Sequence, residues 1–100
     1  MKYSKTSVTR EMTITNDDFL RLVPGALSIF NYEILPGNSE ILIYHPHGKI
    51  NIKISPETTR SIGSLRLPVT EVEINFSHLS QQEAKKFLNR FDLYYQKGGG

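Results

Sequence analysis

The chain has 100 residues, no cysteine, a hydrophobic content of 38% and five each of Tyr and Phe. This describes one folding unit that can bury a core without covalent staples, and it excludes disulfides, thiolate metal sites and a cysteine nucleophile. The formal net charge of +2 comes from Lys2, Lys5, Arg10 and Glu11, and from Thr13 onward nine basic residues balance nine acidic ones. The body therefore lacks the excess positive charge on which nucleic-acid binders usually rely.

Residues 1–12 are rich in Ser, Thr and Lys and show no period. They read as a flexible tail, with a single α+β domain over 13–97 and a glycine tail at 98–100. No apolar run approaches the length of about 18 residues needed to span a bilayer, and no apolar stretch follows the first lysines. A cytoplasmic location is expected, consistent with the absence of cysteine.

The first helix is predicted to start near Asn16. Thr15, Asn16 and Asp17 offer capping oxygens, Asp17 and Asp18 suit the positive end of the helix dipole, and Phe19, Leu22 and Val23 fall on one face. Pro24-Gly25 should stop it after about two turns. Three strands follow. In Ser28–Leu35, Phe30, Tyr32 and Ile34 alternate with Asn31 and Glu33, and Pro36-Gly37-Asn38-Ser39 is a turn cluster. Glu40–His45 is almost continuously apolar, and Pro46-His47-Gly48 closes a hairpin in which the glycine is expected to take the left-handed conformation. Lys49–Ser55 alternates cleanly, with Ile50, Ile52 and Ile54 inward.

Ser55-Pro56-Glu57 resembles an N-cap followed by proline at the first helical position, which predicts a short helix through Arg60. A fourth strand is broken by Pro68 and resumes through Val72, Ile74 and Phe76. Outward Lys49 and Lys53 against outward Glu71 and Glu73 suggest neighbouring strands. The last element is a helix: Ser80-Gln81-Gln82-Glu83 is a capping box, and Ala84, Phe87, Leu88, Phe91 and Tyr95 trace one face before Gly98. The predicted fold is α+β, a four-stranded mainly antiparallel sheet with two amphipathic helices on one face, in the order α-β-β-β-(short α)-β-α.

No catalytic, metal or nucleotide signature is present. His45 and His47 flank Pro46, but a hairpin tip explains that spacing without a ligand, and a three-histidine site would need His78 as well. Glu71 and Glu73 share a strand face, yet a solvated pair beside lysines stays ionised. No Gly-x-Ser-x-Gly elbow or glycine-rich phosphate loop occurs. No metal and no cofactor is expected. In the loop Arg60-Ser61-Ile62-Gly63-Ser64-Leu65-Arg66, Arg60 and Arg66 with Ser61, Gly63 and Ser64 form a candidate anion-binding site. Lys85, Lys86, Arg90 and Lys97 line one helix face that could contact phosphates.

The reading favoured by the sequence is a noncatalytic interaction domain that self-associates as a homodimer or binds a protein partner through its outer sheet face. Its anchors are Ile29, Leu42 and Tyr44, because that face reads as too apolar to stay bare. A nucleic-acid-binding accessory role through the basic helix face is the alternative. A small enzyme with a site near Arg60 and Arg66 comes third.

Overall fold

The computed structural model describes residues 6–98, with side chains through Gln96. The elements are β1 (Thr6–Met12), α1 (Asn16–Ala26), β2 (Asn31–Ile34), β3 (Glu40–His45), β4 (Gly48–Ile54), β5 (Thr58–Ile62), β6 (Leu65–Ser77) and α2 (Gln81–Gly98). The architecture is α+β: a six-stranded antiparallel sheet in the order β1-β6-β4-β3-β2, with β5 beside the first part of β6.

Both helices pack on one face. Ile41, Ile43, Ile50, Ile52, Ile54, Val72, Ile74 and Phe76 point inward and join Phe19, Val23, Phe87, Phe91 and Tyr95 in one core. In α1 the cap is Thr15, whose hydroxyl accepts the Asp18 N–H at 3.0 Å. The helix runs past Pro24 to Ala26. Proline in the last turn removes one intrahelical bond, and burial of Ala26 and Leu27 carries the chain beyond the predicted stop. The capping box of α2 is present: Glu83 N–H donates to the Ser80 hydroxyl (3.1 Å), and the Ser80 N–H donates to Glu83 Oε1 (3.0 Å). Lys53 stands directly opposite Glu73 across β4 and β6, as the charge pattern suggested.

Several expectations are corrected. Residues 6–12, read as part of a flexible tail, form β1, paired along its length with β6. Val8 and Met12 pack on the core, and inward Arg10 makes a two-pronged ion pair with Asp92 of α2 (3.1 and 2.9 Å). That carboxylate raises the pKa of the Arg10 guanidinium. The predicted short helix over 55–60 is replaced by β5, and Pro68 does not interrupt β6, which runs unbroken from Leu65 to Ser77. Strand 28–35 shortens to Asn31–Ile34. Gly37 and Gly63 take the left-handed backbone, whereas Gly48 does not. Of the glycine tail, Gly98 closes α2, and Gly99 and Gly100 lie outside the described residues.

The register explains β5. Ile54 pairs with Val72 and Thr58 with Val69, so three residues of one strand oppose two of the other. That is a bulge, and β4 with β5 form one long strand facing β6. Beyond the bulge neither β1 nor β3 accompanies the pair. The last five residue pairs, from Thr58 opposite Val69 to Ile62 opposite Leu65, leave the sheet as a two-stranded arm. The molecule measures 49 × 24 × 24 Å along its principal axes.

The base of the arm is bolted to the start of α1. Thr70 is fully buried, and its hydroxyl lies 2.8 Å from the Ile14 carbonyl and 2.6 Å from Asn16 Oδ1. Asn16 Nδ2 donates to the Ser55 carbonyl (3.2 Å), and the Asn16 N–H donates to Glu57 (2.9 Å). Thr70→Val keeps the volume and removes the single hydroxyl proton that the Ile14 carbonyl and Asn16 Oδ1 compete for, leaving a polar group at the base of the arm without its donor. It is expected to lower unfolding stability by about 1 to 3 kcal/mol, measured by urea titration. Hydrogen exchange should quicken first at the base of the arm.

Candidate functional site

The arm is the part of the surface least explained by folding. Every residue of β5 is exposed, and so are Gly63, Ser64, Leu65 and Arg66. Cross-strand register puts Ile62 opposite Leu65 and Arg60 opposite Leu67, all on one face of the ribbon, with Val69 further back on the same side. The other face carries Ser61 opposite Arg66 and Thr59 opposite Pro68. One face thus carries Ile62, Leu65, Leu67 and Val69 together with Arg60 and Thr58, and the other is mostly polar. Val69 is buried at the base and Leu67 is half-buried, while Ile62 and Leu65 at the tip are 54% and 61% exposed.

This register separates the two arginines of the candidate anion site. Arg60 and Arg66 project from opposite faces of the ribbon, so they do not converge on one anion, and Arg60 already pairs with Glu11 of β1. Ser61 shares a face with Arg66, and Gly63 with Ser64 makes the tight turn, Gly63 at φ 60°. Between Glu57 and Glu71 the chain has two positive charges and no negative one.

The helix-free face of the sheet differs from expectation. Alternation places Ser7, Thr9 and Glu11 there from β1, Glu71, Glu73 and Asn75 from β6, Lys49, Asn51 and Lys53 from β4, Glu40, Leu42 and Tyr44 from β3, and Asn31 and Glu33 from β2. Five carboxylates against two lysines make this face acidic. Its side chains are hydrogen-bonded to one another: Asn51 donates to Glu40 (2.7 Å), Ser7 to Glu73 (3.4 Å) and Tyr44 to Glu33 (3.0 Å). The Glu33 carboxylate, by accepting that bond, raises the Tyr44 phenol pKa. Apolar surface on this face is confined to half-buried Leu42 and to Tyr44, 40% exposed. Ile29 is 67% exposed but lies in the turn between α1 and β2, outside the sheet. Ile41 and Ile43 take the inward positions, and that choice removes the broad apolar face the sequence suggested.

The remaining candidates are dispersed. Lys85, Lys86 and Arg90 are exposed on α2, Arg90 donating to the Ser28 hydroxyl (3.4 Å), and the Lys97 side chain lies outside the described residues. An open groove of about 410 Å³ between β1 and α2 is lined by Arg10, Met12, Asp92 and Tyr95. Arg10 and Asp92 satisfy each other there, and the Tyr95 hydroxyl donates to the Phe19 carbonyl (2.9 Å), leaving no poised acid–base pair. His78 is exposed in the left-handed conformation (φ 64°) between β6 and α2. Instead of His78, it is Glu83 that the fold brings to His45 and His47. Sequence separation of 36 residues hides that encounter, which depends on how the β3–β4 turn meets α2.

Among the described residues no helix is long and apolar enough to cross a membrane. No protein-family model matches the chain, and no curated protein is similar to it in sequence.

Proposed function

We propose that the protein is a noncatalytic interaction domain that self-associates, the arm of one copy lying on the helix-free sheet face of another. The observation that carries this is the paired Ile62 and Leu65 at the end of a ribbon that leaves the body, both more than half exposed. Folding alone does not require large aliphatic side chains there, and burial against a second surface would remove them from water. The choice of surface rests on Leu42 with Tyr44, which offer an apolar landing site on an otherwise polar face. Two arms exchanged in this way give a two-fold symmetric, self-complementary contact. The reading moves the anchors from Ile29 to the arm and keeps Leu42 and Tyr44. A cysteine-free chain of this kind suits a reducing compartment such as the cytoplasm.

Burial of Ile62 and Leu65 from both copies does little more than offset the loss of translational and rotational freedom on association, so the surplus has to come from the contacts they make with Leu42, Tyr44 and their neighbours. A weak, concentration-dependent dimer is expected. Light scattering on the full chain, between about 5 and 500 μM, should show mass rising with concentration toward twice the monomer. Ile62→Ser with Leu65→Ser should weaken association at least tenfold and leave the thermal midpoint nearly unchanged, because neither side chain belongs to the core. A monomer at every concentration overturns the self-association, as does a dimer indifferent to the double variant.

A further inference from the structure

The β3–β4 turn carries chemistry that the proposed association does not use. His45 ends β3, His47 sits in the turn, and Glu83 stands in the first turn of α2 against them. One donor atom from each lies within 4.8 Å of the other two. Among the described residues no other group of His, Asp and Glu side chains comes together in this way.

Each side chain is already oriented by a neighbour. Glu83 Oε1 accepts the Ser80 N–H (3.0 Å) and hydroxyl (3.2 Å), which leaves Oε2 directed at His47 Nδ1 in close contact. His45 Nδ1 accepts the backbone N–H of His47 (3.1 Å), so in the neutral ring its lone pair points at the turn and its proton sits on Nε2. The two rings stand 5.6 Å apart, and Phe30, at 6.2 Å from the His45 ring, packs behind it. The Ser80 bonds, on the other Glu83 oxygen, are of the outer-shell kind that orients a metal ligand.

We propose that His45, His47 and Glu83 form a binding site for one divalent transition-metal ion of intermediate softness, of which Zn²⁺ is the type case. Two imidazoles and one carboxylate match that preference. Mg²⁺ and Ca²⁺ call for all-oxygen shells, and the soft-ion alternative, Cu(I), calls for sulfur ligands, of which the chain has no thiolate. Tetrahedral bonds of about 2.0 to 2.1 Å set neighbouring donors about 3.3 Å apart. His47 and Glu83 are already in contact, so closing the trio from 4.8 Å requires half-buried His45 and exposed His47 to rotate toward one another. The ion takes the place of the proton between His47 Nδ1 and Glu83 Oε2, and it takes over the His45 Nδ1 lone pair while the His47 amide turns to water. Three protein ligands leave a fourth position for water or an external donor. The bound ion would tie the β3–β4 turn to the start of α2.

Calorimetric titration of ZnCl₂ into the untagged full chain tests this. Expected are one saturable equivalent of Zn²⁺, no comparable binding of MgCl₂, and at least a tenfold loss of affinity in both His45→Gln and His47→Gln. His78→Gln, a change at an exposed histidine outside the trio, should bind as the parent does. Zn²⁺ should also raise the thermal midpoint of the parent and leave that of His47→Gln unmoved. Absence of a saturable equivalent overturns the site, and so does undiminished binding by His47→Gln or equal loss in His78→Gln.

Discussion

Phe19→Ala is expected to lower the free energy of unfolding by about 4 kcal/mol, the largest single effect among the variants considered. Phe19 is fully buried and stacks on Tyr95 at 4.8 Å with its ring nearly parallel, while Phe91 lies 6.3 Å away on the same helix. Its backbone carbonyl also takes the Tyr95 hydroxyl bond, and burial raises the phenol pKa, keeping that group a donor. Truncation therefore opens a cavity where α1, α2 and the sheet meet. A domain of this size has a total stability of about 5 to 15 kcal/mol, so the variant would populate unfolded chain at modest urea concentrations. Leu93→Ala on the outer side of α2, where the side chain is 54% exposed, should change stability by no more than about 0.5 kcal/mol. Equal urea midpoints for the two variants would place the core elsewhere.

Gly48→Ala should cost about 3 kcal/mol, for a reason unrelated to backbone freedom. A Cβ on Gly48 would sit 2.1 Å from the Ser77 carbonyl oxygen and 3.1 Å from the carbonyl carbon of His78. Both neighbours are backbone, so relief requires β4 and β6 to part at the end where Lys49 pairs with Ser77. Gly25 gives the contrast. Its Cβ would meet the Tyr94 hydroxyl at 1.9 Å, but that is the far end of a side chain that can rotate away. Since alanine also favours helix over glycine, Gly25→Ala should stay within about 1 kcal/mol of the parent. Urea midpoints for both variants, with amide exchange along β3 and β4, decide the matter. A Gly48→Ala protein as stable as its parent would mean that β6 can move aside at no cost.

These two sites also separate what local pattern encodes from what it misses. The glycine after Pro46-His47 is easily noticed in the sequence, and its turn is where the pattern put it. The left-handed role assigned to Gly48 is wrong, because the constraint comes from a strand 29 residues away, opposite its neighbour Lys49. β1 escaped notice for a related reason. Thr6–Met12 sets Arg10 between Val8 and Met12 on the inward side, so its alternation is not apolar against polar. Only Asp92, 82 residues on, makes an inward arginine acceptable there. In β5, Ser55-Pro56-Glu57 imitates a helix start and both faces are exposed, so no periodic burial marks the strand.

What the sequence by itself determined is every element whose stabilisation is local and one-sided. The alternating isoleucines of β4, the turn at Pro36–Ser39, the capping box and apolar stripe of α2, and the opposed charges of Lys53 and Glu73 belong here. Each is set by a period or by groups a few residues apart, apart from the charge pair, whose signs alone suggested its neighbours. Tertiary structure alone decided the sixfold sheet, the bulge that turns β4 into an arm, the polarity of the helix-free face and the meeting of His45 and His47 with Glu83. Those depend on which strand lies beside which and in what register, and a shift of one residue would send each side chain to the opposite face.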